Sequence, residues 1–139
     1  MNSDEADFVF PSEPGQLDWI LESFVERVPG AFCAVLASGD GVRRGTHGLD
    51  TDSADHLSAI VTGLRSLAKG VGKVTGTPGQ VRQVVVEHDS ALLFVSAAGR
   101  GSVLGVLADH DADANVVGHE MAALVTSLRE HLGTPVRTA

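Results

Sequence analysis

The sequence predicts an α+β fold, a five-stranded antiparallel sheet sandwiched with helices in the order α-β-β-α-β-β-β-α. Three observations carry this. Three stretches repeat apolar residues at helical spacing. Between them lie five short runs with strand character. The last three runs are joined by connections as short as "DS" (89–90) and "GRG" (99–101), which suit only an antiparallel meander. At 139 residues and 43% hydrophobic, the chain has enough apolar material for one core.

The elements follow in order. Residues 1–15 read as an acidic N-terminal arm, in which "FVF" precedes "PSEPG" and the prolines stop regular structure. A first helix is predicted over about 16–28, with Leu17, Ile20, Leu21, Phe24, Val25 and Val28 as its apolar stripe and Pro29-Gly30 as its end. Trp19 falls near the opposite face, where "FVF" of the arm is close enough in sequence to cover it. "AFCAVLA" (31–37) is a strand, "SGDG" a tight turn, and "VRRGT" (42–46) a weak returning strand. Asp50, Thr51 and Asp52 are candidate caps of a second helix over about 52–74. Its predicted core stripe is Ala54, Leu57, Ile60, Val61, Leu64, Leu67, Ala68 and Val71. A second stripe, Ala59, Gly63, Ser66 and Gly70, is small throughout and is placed beside the core stripe. Small residues at that spacing let another backbone approach closely, which points to a helix–helix contact. "GTPG" (76–79) breaks the chain before strands at 81–88, 91–98 and 102–109. A last helix runs from about 114 to 132, its stripe Val117, Met121, Leu124, Val125, Leu128 and Leu132, with Gly133 as its stop. Residues 16–132 thus form the domain and 133–139 a C-terminal tail.

Charge narrows the partners. A net charge of −8 argues against nucleic acid or an anionic membrane surface, both of which need clustered Lys and Arg. No apolar run approaches the roughly 20 residues a spanning helix needs. The opening "MNSDEADFVF" is acidic where a secretory signal is basic, and the single Cys33 leaves no internal disulfide. The expected location is the cytoplasm, membrane-peripheral only through partners.

Several stretches imitate sites. "DHDADANVVGHE" places Asp109, Asp111, Asp113 and Glu120 at calcium-loop positions, with Asn115 continuing the alternation. Its sixth position is Ala114, where the sharp turn wants glycine, and a strand precedes it, so the acids read as caps of the last helix. "HEMAA" (119–123) lacks the second zinc-ligand histidine, and His47, His56, His88, His110, His119 and His131 show no familiar ligand spacing. "GVGKVTG" lacks the gap of a phosphate-binding loop. Ser90, Ser96 and Ser102 have no nucleophile elbow, and Cys33 sits mid-strand among apolar neighbours. The reading is of a protein without catalytic residues, metal or cofactor.

The element order, taken with particular stretches, resembles the roadblock/LC7 domain family. "LDWILESFVERVPGAFCAVLASGDGV" resembles the family's opening helix, "VPG", strand and "S-x-DG" turn. "GLDTDSADHLSAIVTGLRSLAKG" resembles its central helix, "VRQVVVEHDSALLFVSAAGRGSVLGVLAD" its meander, and "DADANVVGHEMAALV" the entry to its last helix. The resemblance is nearest to the branch encoded in actinomycete conservon operons, beside a small Ras-like GTPase and a sensor-kinase-like protein. It implies a profilin-like fold and a non-catalytic signalling adaptor. It implies homodimerisation through the third strand, carried over as Val81, Gln83, Val85 and Glu87, and through the central helix at Ala59, Gly63, Ser66 and Gly70. It implies a GTPase-facing surface on the central helix, with Asp55, Thr62, Arg65 and Lys69 as expected contacts. The second strand, "VRRGTHG", departs from the family's apolar pattern; Arg43 and Arg44 read as solvated residues shielding an edge rather than as an arginine finger. The alternative function is a small-ligand sensory domain with a pocket between sheet and helices.

Overall fold

The structure, a computed structural model, describes residues 15–99 and 101–130. The "FVF" of the arm and the tail 133–139 lie outside them. The elements are α1 (Gln16–Arg27), β1 (Ala31–Ser38), β2 (Arg43–His47), α2 (Thr51–Ala68), α3 (Val71–Thr75), β3 (Val84–His88), β4 (Ala91–Ala97), β5 (Ser102–Ala108) and α4 (Ala114–Leu128). The five strands form one antiparallel sheet in the order β2-β1-β5-β4-β3. The architecture is the expected α+β one, a five-stranded antiparallel sheet with helices.

Strand alternation sorts the core into two layers. Ala34, Leu36, Leu92, Phe94, Leu104 and Val106 face one side, where α1 supplies Leu21, Phe24 and Val28 and α4 supplies Val117, Met121 and Leu124. Val35, Leu93, Val95 and Val103 face the other side and meet Ala54, Leu57 and Val61 of α2. α2 lies close because Gly105 has no side chain: a Cβ there would stand 2.6 Å from Val61 Cγ1. β2 carries a glycine for a similar reason. A Cβ on Gly45 would meet Leu17 Cβ at 2.9 Å, and the adjoining Thr46 N–H donates to Asp18 Oδ1 at 2.8 Å. The N-terminus of α1 crosses this edge strand, which explains its unusual sequence.

Three expectations need correction. The second helix does not run to 74. It ends at Ala68, Lys69 and Gly70 make a turn in which Gly70 N–H donates to Leu67 O, and α3 follows as a separate short helix. Glycine is a poor helix former, and the ladder breaks at Gly70. Second, β3 begins at Val84 and not at 81. Third, Ile60, Leu67 and Val71 are exposed and do not join the core stripe. Ser58 takes a core position that the spacing did not suggest; it is fully buried, and its Oγ has no hydrogen-bond partner among the described residues.

Candidate functional site

The candidate site is the outer surface of α2 together with the free edge of β3. Asp50 starts α2, its carboxylate accepting the Ser53 N–H at 2.8 Å; that bond holds the acid below its usual range. Ala54, Leu57, Ser58 and Val61 then point into the sheet. Their burial turns Ala59, Gly63, Ser66 and Gly70 outward, so all four are exposed. The small stripe therefore lies opposite the core stripe and not beside it. Nothing lies within 4 Å of a Cβ placed on Gly63. Its small size relieves no crowding within this chain.

Apolar side chains border this ridge. Ile60 is 40% exposed, Leu67 79% and, on α3, Val74 88%; Val71 is exposed as well. Ile60, Leu64 and Leu67 share one flank of α2. That flank faces β3, because Leu64 packs on the same core layer as Val84 and Val86. Sequence reasoning placed Ile60, Leu67 and Val71 inside and overlooked Val74. The recoverable signal was the seven-residue spacing of Ile60 and Leu67, a pair off the Leu57–Val61–Leu64 stripe.

β3 pairs only with β4, and its other edge is open among the described residues. Ala98 N–H donates to Ser102 O, toward β5. Alternation then turns the backbone groups of Ala97 and Val95 toward β3, where Val95 faces Val84. Val85 and Glu87 accordingly present their N–H and C=O groups to the open edge. Both are among the expected pairing residues, whereas Val81 and Gln83 precede the strand.

Three of the four expected partner contacts, Asp55, Thr62 and Arg65, fall on the opposite flank of α2, toward β2, whereas Lys69 follows the end of the helix and borders the cleft against residues 80–83. Asp55 Oδ1 accepts Arg43 Nε–H at 2.8 Å. Thr62 Oγ1 donates within α2, lying 3.0 Å from Ser58 O and 3.1 Å from Ala59 O. Asp55 and Lys69 are exposed; Thr62 and Arg65 are half-buried. The two half-buried residues correct the expectation of four exposed ones, because this flank leans over the β1–β2 turn, with Thr62 Oγ1 only 3.4 Å from where a Gly41 Cβ would be. In the turn itself Asp40 accepts the Ser38 hydroxyl, which holds its carboxyl below the usual range. Trp19, on α1, is 63% exposed.

The imitations of catalytic and metal sites resolve into structure. Asp113 caps α4, accepting the Asn115 and Val116 N–H groups, and Glu120 lies inside that helix, 3.8 Å from Arg27 Nε. Among the described residues no three His, Cys, Asp or Glu side chains are grouped to hold a metal. Cys33 is fully buried, and burial pushes its thiol up to about 11. Two open clefts flank residues 80–83: one of about 330 Å³ against Ala68, Val71 and Thr75, the other of about 420 Å³ against Ser96, Met121 and Val125. Among the described residues no helix is long and apolar enough to cross a membrane.

The sequence profile of the Roadblock/LC7 domain matches residues 17–108. A Roadblock/LC7 domain from Streptomyces avermitilis is 55% identical, with 83% of this chain and 96% of that one covered and a TM-score of 0.79. The gliding protein MglB from Thermus thermophilus is 19% identical over 88% of this chain and 94% of its own, with a TM-score of 0.74. Profilin IB from Acanthamoeba castellanii is 10% identical over 83% and 98%, with a TM-score of 0.61. These last two are similar in fold. No curated protein matches the chain.

Proposed function

Because the chain belongs to the Roadblock/LC7 domain family, we propose that it is a non-catalytic homodimeric adaptor that binds a small bacterial Ras-like GTPase in cytoplasmic signalling. One observation carries the reading. The outer ridge of α2 is apolar and small, unfilled by its own chain, and stands beside an open strand edge. An exposed apolar face and an unpaired edge together favour a second polypeptide.

A second copy fits both features with one symmetry operation. Pairing β3 with its counterpart about a two-fold axis perpendicular to the sheet gives a continuous ten-stranded sheet. The same axis brings the two α2 helices together antiparallel, on the flank of Ile60, Gly63 and Leu67. The flank of Asp55, Thr62 and Arg65 then stays outside, available to the GTPase or to a sensor-kinase-like protein. An apolar contact at the exposed part of the ridge suits an acidic adaptor, since net charge alone would not attract an acidic partner.

Light scattering coupled to gel filtration tests the first half. The wild type is expected to run as a dimer at micromolar concentration and Leu67→Asp as a folded monomer, because Leu67 makes little contact within its own chain. Binding of a purified bacterial small Ras-like GTPase, loaded with GDP or with a non-hydrolysable GTP analogue, tests the second half. Nucleotide-dependent binding supports the reading, and absence of binding in both states removes the GTPase.

A further inference from the structure

We propose that Val81–Gln83 is an unzipped extension of the pairing strand, which seats against the end of β4 when a second copy of this chain docks on the β3 edge. The inference rests on the dimer reading above and adds to it a folding step and three residues of interface.

The argument starts from the unfinished ladder. β3 and β4 pair from His88↔Ala91 to Val84↔Val95 and stop, although β4 continues to Ala97. Continuing the register sets Gln83 opposite Ser96 and Arg82 opposite Ala97. Ala97 is the residue whose N–H and C=O turn toward the β3 side, since its neighbour Ala98 donates to Ser102. Arg82 would therefore exchange both backbone hydrogen bonds with Ala97.

The side chains of Gln83, Val84 and Val86 already obey strand alternation. Gln83 lies over α4, where its amide is 3.2 Å from a Cβ placed on Gly118, so the glycine lets it sit close. Val81 borders both clefts, the one against α3 and the one against α4. Val84 and Val86 face the opposite layer, toward α2. Parity is thus continuous from Gln83 into β3, while the backbone at 81–83 stands off. The gap is the cleft of about 420 Å³ between this segment, the end of β4 and α4. At its wall Ser96 is only 8% exposed, yet its Oγ has no hydrogen-bond partner among the described residues. A buried hydroxyl without a partner is costly, and a polar side chain arriving opposite it would relieve that cost. Gln83 is the residue the register brings there.

A single chain gains little by closing this segment. Three residues would be fixed for one pair of backbone bonds, with their other edge still open. A second copy changes the balance, because Gln83 and Val81 present their remaining backbone groups to that outer edge and can pair there. Docking and zipping therefore belong to one step.

Hydrogen exchange by mass spectrometry on the full chain, at concentrations below and above the dimer midpoint, tests this. Amides at 81–83 are expected to slow about tenfold or more on dimerisation, together with those of β3. Arg82→Pro removes the donor to Ala97 and is expected to weaken the dimer about tenfold. It leaves the melting temperature of the dilute monomer unchanged, because Arg82 is an exposed loop residue there. A dimer in which 84–88 slow but 81–83 do not, with Arg82→Pro dimerising normally, overturns the extension and leaves the adaptor reading standing. A chain monomeric at on the order of 100 μM overturns the dimer and the extension with it.

Discussion

Glycines at three positions of this chain have different physical duties, and substitutions separate them. Gly105 admits Val61 of α2 to the sheet, so Gly105→Ala forces a methyl group to 2.6 Å from Val61 Cγ1. Overpacking of this kind costs about 1–3 kcal/mol, which urea denaturation should show. Gly63→Ala meets open space and should stabilise an isolated monomer by roughly 1 kcal/mol through helix propensity. If the ridge seats a second helix closely, the same substitution weakens the dimer. Stability and assembly then move in opposite directions, a result that helix propensity alone cannot produce. Gly45 answers to α1 across an edge strand, a contact no local pattern could reveal. Two titratable residues give further tests. Asp50 is held below its ordinary range by the Ser53 N–H, so its contribution to α2 is full above the ordinary carboxylate pKa, about 4, and disappears as pH falls through the lower folded value. The Ser53 amide should lose exchange protection on acidification in the wild type and keep it in Asp50→Asn, which caps without titrating. Cys33, buried with its thiol raised to about 11, should resist a disulfide reagent at pH 8 until the chain is unfolded.

At the scale of elements, the sequence patterns and the structure agree wherever one physical cause sets the pattern. α1 and α4 cover one face of the sheet, and their single apolar stripes map onto the core as read, Leu132 apart, which lies outside the described residues. The meander is legible because its connections are too short for any other topology. α2 is harder, since its apolar residues serve two masters. Those at 54, 57 and 61 fill the core, while those at 60, 67 and 71 stand outside. Periodicity counts both as hydrophobic and cannot say which side is wet. The small stripe was legible as a stripe, but its direction became clear only once the sheet fixed which face of α2 lies inward. The end of α2 differs from the expected one because Gly70, placed within a single long helix by the pattern, lies in the break between α2 and α3. The start of β3 differs for another reason: residues 81–83 read as strand from the sequence, but the ladder with β4 stops at Val84↔Val95. α4 depends on its cap. Asp113 accepts two N–H groups at the helix start, so Asp113→Ala should cost about 1 kcal/mol. Thermal melting of a monomeric background such as Leu67→Asp would read this without interference from assembly.

The whole molecule carries a net charge of −8, and two copies in contact must bring those charges together. If assembly were driven by opposite charges across the interface, added salt would weaken it. The features that argue for assembly here are of another kind. Ile60, Leu67 and Val74 are apolar, Ala59, Gly63 and Gly70 are small, and the β3 edge offers neutral backbone groups. Salt leaves those terms nearly untouched, while it screens the general repulsion between two acidic bodies. The Debye length shrinks from about 30 Å at 0.01 M to about 8 Å at 0.15 M, so most of the repulsion acting across a protein's width is lost in that range. Dimerisation should therefore tighten as salt rises to physiological strength, and then level off. Sedimentation velocity at a fixed low micromolar concentration, from about 0.01 to about 0.5 M sodium chloride, gives the direction directly. A dimer that dissociates over this range would mean that charge pairs dominate the contact, and the surface to search would move from the apolar flank of α2 to the one carrying Asp55 and Arg65. A dimer that tightens would leave the charged flank free for a partner, and would predict that GTPase binding at that flank has the opposite salt dependence. The two contacts could then be separated in a single preparation by salt alone.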